Sequence, residues 1–239
     1  MKIEVVASPA DFFAPRYSGA IVVVIDVLRA TSTIVTALHH GCLEVIPVAE
    51  VEEAFALAQK FPRAQVCLGG ERKAVMVKGF DLGNSPAEYT PEAVYGKTVI
   101  LTTTNGTRAM QYTREAKETI ILSFLNMRAV TAHLQHQEVD LYILCAGRDG
   151  FPALEDTVCA GLLVERLMDG ASAHREADAS AREAQALARQ YKNDLLAMMR
   201  LSQHGAYLER LGFAADLDIC ARLNAIEIVP LLSNGSIQR

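Results

Sequence analysis

"VILTTTNGTRAM", residues 99–110, decides how this chain is read. An apolar, β-branched run ends in three consecutive threonines, then Asn105-Gly106 and a fourth threonine, before helix-like sequence resumes. A buried strand is handing over to a helix, and the same handover recurs along the chain. Apolar runs lie at "KIEVVA" (2–7), "AIVVVID" (20–26), "LEVIPVA" (43–49), "AQVCLG" (64–69), "KTVILTT" (97–103), "TIILSF" (119–124) and "DLYILCAG" (140–147). Helix-like segments at 30–40, 51–60, 106–117 and 126–137 fall between several of them. Continuous apolar strands alternating with helices predict an α/β protein. Its sheet, largely parallel or mixed, is flanked by helices in three layers.

Helix starts are marked by local chemistry. "SPAD" (8–11) and "SPAE" (85–88) each place Ser at a cap, Pro at the first helical position and an acid three residues after the cap. "SARE" (180–183) reads as a further capping box opening a helix to about Arg200. From Leu154 onward the pattern is mostly helical, ending in the apolar run "AIEIVPLL" (225–232). No internal repeat or low-complexity segment interrupts the 239 residues. A single unit over 1–239 is expected, with a division into two lobes, if there is one, near 90–96.

Composition narrows the function classes. Hydrophobic residues make up 51% and charged residues 21%, enough for a well-developed core. With a formal net charge of −5 and no Lys/Arg stripe, the chain is not expected to bind nucleic acid. Its longest apolar runs are too short to span a bilayer, and the N-terminus lacks a signal-peptide core, so a cytoplasmic protein is expected. Five cysteines lie far apart without a C-x-x-C pair, which reads as buried free thiols.

Ligands of open α/β sheets bind beyond the carboxyl ends of the strands, so polar residues there are the informative ones. In "VVVIDVLRATST" (22–33), Asp26 ends a buried strand, and Arg29, Thr31, Ser32 and Thr33 follow. Asp26 could hold a divalent cation or act as a nucleophile, and Arg29 could clamp a phosphoryl or sulfonate group. Alternatively, Asp26 is an N-cap and Arg29 its surface partner. In the 99–110 stretch, Thr103, Thr104, Asn105, Gly106 and Thr107 have the chemistry of an anion cradle at a helix N-terminus. Plain β-propensity with an Asn-Gly turn is the competing explanation. "CLGGERKAVMVKGFDLGNSPAEY" (67–89) adds Glu71 directly after a strand and Asp81 between glycines, while Ser85 reads as a helix cap. Asn126 in "FLN" is another expected cap, and "LCAGRDG" (144–150) is a strand followed by a glycine turn. In "LEDTVCAG" (154–161), Glu155 and Asp156 are either metal ligands or acids complementing a helix dipole.

Strand-end acids are oxygen ligands, which suit a hard cation such as Mg²⁺ better than zinc, and the six histidines show no metal spacing. Such a site beside Arg and hydroxyl groups suits phosphoryl chemistry.

"DVLRATST", "GGER", "KGFDLGNSPAEY", "TTTNGT", "SFLN", "CAG" and "LEDTVCAG", in this order, resemble the 2-phosphosulfolactate phosphatase (ComB) family, and the similarity extends through "LGFAADLDICARLNAIEIVP". The resemblance implies a Mg²⁺-dependent phosphatase converting (2R)-2-phospho-3-sulfolactate to 3-sulfolactate and phosphate, a step that serves coenzyme M biosynthesis in methanogens. Motif positions carried over include Asp26, Arg29, Thr31, Glu71, Gly79, Asp81, Asn84, the 104–107 segment, Asn126, Glu155 and Asp156. The motifs give positions and not roles; the division of labour expected from the residue chemistry assigns Mg²⁺ to Asp26, Glu71 and the Glu155/Asp156 pair. Arg29, Thr31 and the 103–107 cradle take the phosphoryl oxygens, and Asp81 is the general acid.

Two rivals stand beside it. A haloacid-dehalogenase-type phosphatase would use Asp26 as covalent nucleophile, but Leu28 stands where its second Asp belongs. A non-catalytic binder of small anions would use Arg29 and the cradle without several strand-end acids. The partner expected in either enzymatic case is a small phosphate ester, with a symmetric homodimer as the candidate assembly.

Overall fold

The structure is a computed structural model describing residues 1–12, 14–169 and 175–239. Among these, the strands are β1 (Lys2–Val6), β2 (Ile21–Ile25), β3 (Glu44–Pro47), β4 (Val66–Arg72), β5 (Val75–Met76), β6 (Thr98–Thr102), β7 (Glu118–Leu122), β8 (Leu141–Cys145), β9 (Glu176–Ala177), β10 (Leu231–Ser233) and β11 (Ser236–Gln238). The helices are α1 (Ala30–His39), α2 (Val51–Ala58), α3 (Pro91–Val94), α4 (Gly106–Gln111), α5 (Met127–Leu134), α6 (Leu154–Met168), α7 (Ala179–Tyr191), α8 (Leu195–Leu201), α9 (Gln203–Arg210) and α10 (Ala214–Cys220). The strands form one mixed sheet in the order β5-β4-β6-β3-β11-β10-β7-β2-β8-β1-β9.

The seven apolar runs become strands because the interior offers them apolar partners on both faces. In β2, Ile21, Val23 and Ile25 face a core shared with α5 through α10, while Val22 and Val24 face a second core shared with α1 and α4. Full burial of such side chains stabilises the fold by about 1.5–3 kcal/mol each. That double coverage is why the run lacks alternation. A third core, built from Ala54 of α2 with Val66, Leu68 and Ile100, covers the far side of β4 and β6.

Two parallel blocks, β7-β2-β8-β1-β9 and β3-β6-β4, run in opposite senses because the antiparallel hairpin β10-β11 joins them. Twist of roughly 20–25° per strand accumulates to roughly 100–125° over the steps from β2 to β6. The carboxyl ends of β2 and β8 in one block and of β4 and β6 in the other accordingly border one cleft. Helix α1, buried from Ala30 to Leu38, sits between them and touches β3 of one block and β7 of the other. Burial all round explains its lack of a polar face. Strands from before residue 90 pair with strands from beyond 96: β3 and β4 with β6, β2 with β7 and β8.

Several local expectations are corrected. "SPAD" and "SPAE" each make only a single 3₁₀ turn. Ser8 does cap its turn, but Ser85 does not, donating instead to Asp216. Helix α7 is capped by Asp178, which accepts from the Ala181 N–H at 2.9 Å; Ser180 lies inside the helix. Asn126 braces its turn through Oδ1, which accepts from the Ser123 N–H, and Nδ2, which donates to the Ile121 and Ile228 carbonyls. Helix α4 stops at Gln111 rather than near 117. The "AIEIVPLL" run contributes only its end to a strand, and "SNGS" makes a hairpin turn with Asn234 and Gly235 at φ 52° and 81°, the primed turn that Asn-Gly favours. All five cysteines are buried and free, as expected. Among the described residues no helix is long and apolar enough to cross a membrane.

Candidate active site

A cleft of about 290 Å³ opens where the carboxyl ends of β2, β4, β6 and β8 meet α9. Its wall includes Asp26, Arg29, Glu71, Thr103, Thr104, Asn105, Arg148 and His204. The volume lies at the small end of ligand pockets, roughly 300–1,000 Å³, and suits a ligand of a few carbons.

Asp26 follows β2 and leads into α1. Its Oδ1 accepts from the Ala30 N–H at 3.3 Å. A Cβ on Gly106 would lie 2.5 Å from Asp26 Oδ2 and 2.5 Å from the Ala30 Cβ, so glycine is what lets α4 close on this carboxylate. Burial pushes the Asp26 carboxyl up to about 7; the Ala30 hydrogen bond and Arg29 oppose the rise, and Glu71 and Glu155 add to it. Thr31 does not face the cleft. Its hydroxyl donates to the Asp26 carbonyl at 2.8 Å and accepts from the Asp26 N–H at 3.2 Å, fixing the strand end from behind.

Glu71 closes β4 opposite Asp26. Its Oε1 accepts from both the Thr104 N–H at 2.8 Å and the Thr104 hydroxyl at 3.0 Å, and its Oε2 from the Ala74 N–H at 2.6 Å. The 103–107 segment thus cradles an anion, but the anion it holds here is the protein's own carboxylate. Thr103 and Thr107 spend their hydroxyls on each other. The Thr107 N–H donates to Thr103 Oγ1, and the Thr103 N–H to Thr107 Oγ1, each at 3.1 Å. The threonine run is mainly an internal staple for the β6–α4 turn, with Thr104 tethering Glu71.

Arg29 reaches the cleft wall with its donors engaged. Nη1 donates to Asp216 Oδ2 at 2.6 Å, Nη2 to the Ala74 carbonyl at 3.2 Å, and its Cζ lies 4.4 Å from the centre of the Phe213 ring. Asp216 also accepts from the Ser85 hydroxyl at 2.5 Å. The guanidinium is 2% exposed and is a buried structural cation. The expected free clamp is therefore not what the structure displays.

Glu155 and Asp156, both buried at the start of α6, lie behind the cleft. Asp156 Oδ1 accepts from the Val27 N–H at 2.8 Å and Oδ2 from the Gly147 N–H at 3.1 Å, tying the turn after β2 to the turn after β8. Burial, with Asp26 and Glu155 nearby, holds the Asp156 carboxyl well above its ordinary range; Glu155 is raised chiefly by burial. Asp81 is elsewhere: it pairs with Arg63, accepts from the Leu68 N–H at 2.8 Å, and lines a separate surface pocket. It cannot donate a proton to a group bound beside Asp26.

Asp26 and Glu71 themselves offer a ligand oxygen donors only, and among the described residues no group of three or more His, Cys, Asp or Glu is assembled to hold a metal. Two carboxylates fit Mg²⁺ of the kind that keeps several waters and shares its shell with a substrate phosphate; they do not fit an all-protein cage.

Arg148, His204, Tyr207 and Asp216 went unassigned in the sequence. Arg148 stood in plain view beyond a strand end, in "CAGRDG". The other three lie in the helical C-terminal part, where nothing local links them to β2 or β8.

Comparison with known proteins assigns this arrangement to a lineage. The family described as 2-phosphosulpholactate phosphatase matches residues 8–235. A Symbiobacterium thermophilum protein is 45% identical over 94% of this chain and 96% of its own length, and one from Caldanaerobacter subterraneus is 43% identical over 91% and 89%. A Clostridium beijerinckii protein is 39% identical over 99% of each chain. All three are described as probable 2-phosphosulfolactate phosphatases. The chain belongs to the 2-phosphosulfolactate phosphatase family.

Proposed function

From membership of this family and the composition of the cleft, we propose that the protein hydrolyses 2-phospho-3-sulfolactate to 3-sulfolactate and phosphate with the help of Mg²⁺. The observation carrying this reading is that Asp26 and Glu71, from opposed sheet blocks, line the same cleft. Asp26 and Glu71 would hold Mg²⁺, which would supply charge neutralisation at the phosphoryl group.

The remaining chemistry belongs to the chain. Thr104 and Ala74 fix both oxygens of Glu71, so its carboxylate is oriented before ligand arrives. Asp156 locks the loops after β2 and β8 and thereby sets the position of Asp26. Arg29, neutralised by Asp216, lowers the electrostatic penalty of ionising Asp26 from within the wall. Water attacks phosphorus, the bond from phosphorus to the C2 oxygen breaks, and one proton of that water passes to the leaving oxygen, giving the hydroxyl of 3-sulfolactate and inorganic phosphate.

Phosphate release from 2-phospho-3-sulfolactate, measured across a Mg²⁺ titration, tests the proposal. The wild type turns over only with the metal, and Asp26→Asn and Glu71→Gln each lose at least about 100-fold in kcat/KM while circular dichroism stays native. Retention of activity within tenfold by either variant removes that residue from the reacting centre.

A further inference from the structure

The substrate in this reading carries acid groups that take no part in the reaction, and the cleft contains a cation that the reacting centre does not use. Arg148 follows β8 in a tight turn. Its N–H donates to the Phe151 carbonyl at 2.8 Å, and the Phe151 N–H donates back at 2.9 Å. Asp149 and Gly150 bridge them at φ 51° and 82°. The Ser8 hydroxyl anchors this turn from outside, donating to the Gly150 carbonyl at 2.8 Å. The side chain lies over the Tyr207 ring with its Cζ 5.0 Å from the ring centre, and its Nε is 3.5 Å from Asp149 Oδ2. Its Nη1 is buried and has no hydrogen-bond partner. Beside it in the same cleft, His204 Nδ1 and Asn84 Oδ1 are also buried without partners.

Buried polar atoms without partners are rare, and of these three Arg148 Nη1 is the donor that an acceptor group on a ligand completes, Asn84 Oδ1 being itself an acceptor. The charges decide which kind. Arg29 is neutralised by Asp216, and His204 is held neutral, lowered to about 4 by burial first and then by Arg148 and Arg29. Arg148 is the half-buried cation of the wall, paired through Nε only with the exposed Asp149 and left with Nη1 unpartnered, and the exposed Lys73 lies at the rim. A guanidinium presents a planar fork that matches a carboxylate or sulfonate, and stacking on Tyr207 orders it before binding.

We propose that Arg148 is the specificity-determining residue of the cleft, binding a non-reacting acid group of the substrate while the phosphoryl group lies at the Asp26–Glu71 wall. This rests on the proposed reading of the substrate as a phosphorylated small acid. The chemistry recognised is an oxyanion on a short carbon chain, and a sulfonate and a carboxylate are its two sources.

Kinetics on three esters test it: 2-phospho-3-sulfolactate, 2-phospholactate, which lacks the sulfonate, and isopropyl phosphate, which lacks both acid groups. Arg148→Ala is expected to lower kcat/KM for the first at least about 30-fold more than for the third, mainly through KM, with Arg148→Lys recovering part of the loss. If the excess loss persists with 2-phospholactate, Arg148 holds the carboxylate; if it disappears, Arg148 holds the sulfonate. Equal losses on all three esters, or none, overturn the proposal. Should the wild type hydrolyse none of them, the substrate reading fails separately, and calorimetric titration with 3-sulfolactate still decides about Arg148. Binding by the wild type that Arg148→Ala abolishes supports it; no binding by the wild type, or equal binding by the two, rejects it.

Discussion

Asp26 is where function and stability pull apart most clearly. Its folded pKa of about 7 lies above the ordinary value of 3.8, so between those values the folded state binds more protons than the unfolded one. The contribution of this carboxyl to stability is therefore fully present below about pH 4 and is lost as pH rises through about 7. Asp156 and Glu155, also raised, act in the same direction. Asp26→Asn in the metal-free protein is expected to gain on the order of 2–4 kcal/mol at pH 8 and little at pH 4, by denaturant unfolding at the two pH values. An equal effect at both would contradict the account. Asp216→Ala leaves Arg29 buried and unpaired and should cost about 3–5 kcal/mol in the same assay. Gly106→Ala drives a methyl group into the Asp26 carboxylate and the Ala30 side chain. A destabilisation of about 1–3 kcal/mol is expected, together with a fall in turnover; normal activity would show that Asp26 need not stay where it is.

The β6–α4 turn is the element that positions Glu71. Thr104→Val removes the hydroxyl bond to Oε1 but keeps the N–H bond, so a loss of about 0.5–1.5 kcal/mol and a weaker Mg²⁺ response are expected, by thermal melting and metal titration. This turn also shows what a sequence reveals and what it hides. Strands such as β2 and β6 were legible because burial on both faces writes a continuous apolar run. The hydroxyls after them were legible as unusual, but their partners were not. Thr104 bonds Glu71, 33 positions away, and Arg29 bonds Asp216, 187 away. The first follows from the β4–β6 register, in which Gly70 lies opposite Thr102, and the second from the packing of α10; neither pairing leaves a local mark in the sequence. Asp81 misled for the same reason: a carboxylate between glycines looks alike whether it faces the cleft or, as here, Arg63. Asp216 sits in α10 with no neighbour in sequence to show that it anchors a guanidinium.

At the scale of the whole molecule, the cleft is bordered by the carboxyl ends of two parallel blocks of opposite sense joined into one sheet. The short hairpin β10-β11 makes that join, although its strands are only three residues each. Removing residues 231–239 would expose the edges of β3 and β7, and unpaired edges invite association. Such a truncation is expected to run as aggregate on size exclusion, whereas a monodisperse product that still turns over substrate would show the join to be dispensable. The most direct measurement of the central claim is a crystal structure with Mn²⁺ in place of Mg²⁺ and 3-sulfolactate present, reading the anomalous signal. The account predicts one metal peak within coordination distance of both Asp26 and Glu71. A peak bound elsewhere, or touching neither carboxylate, would contradict it.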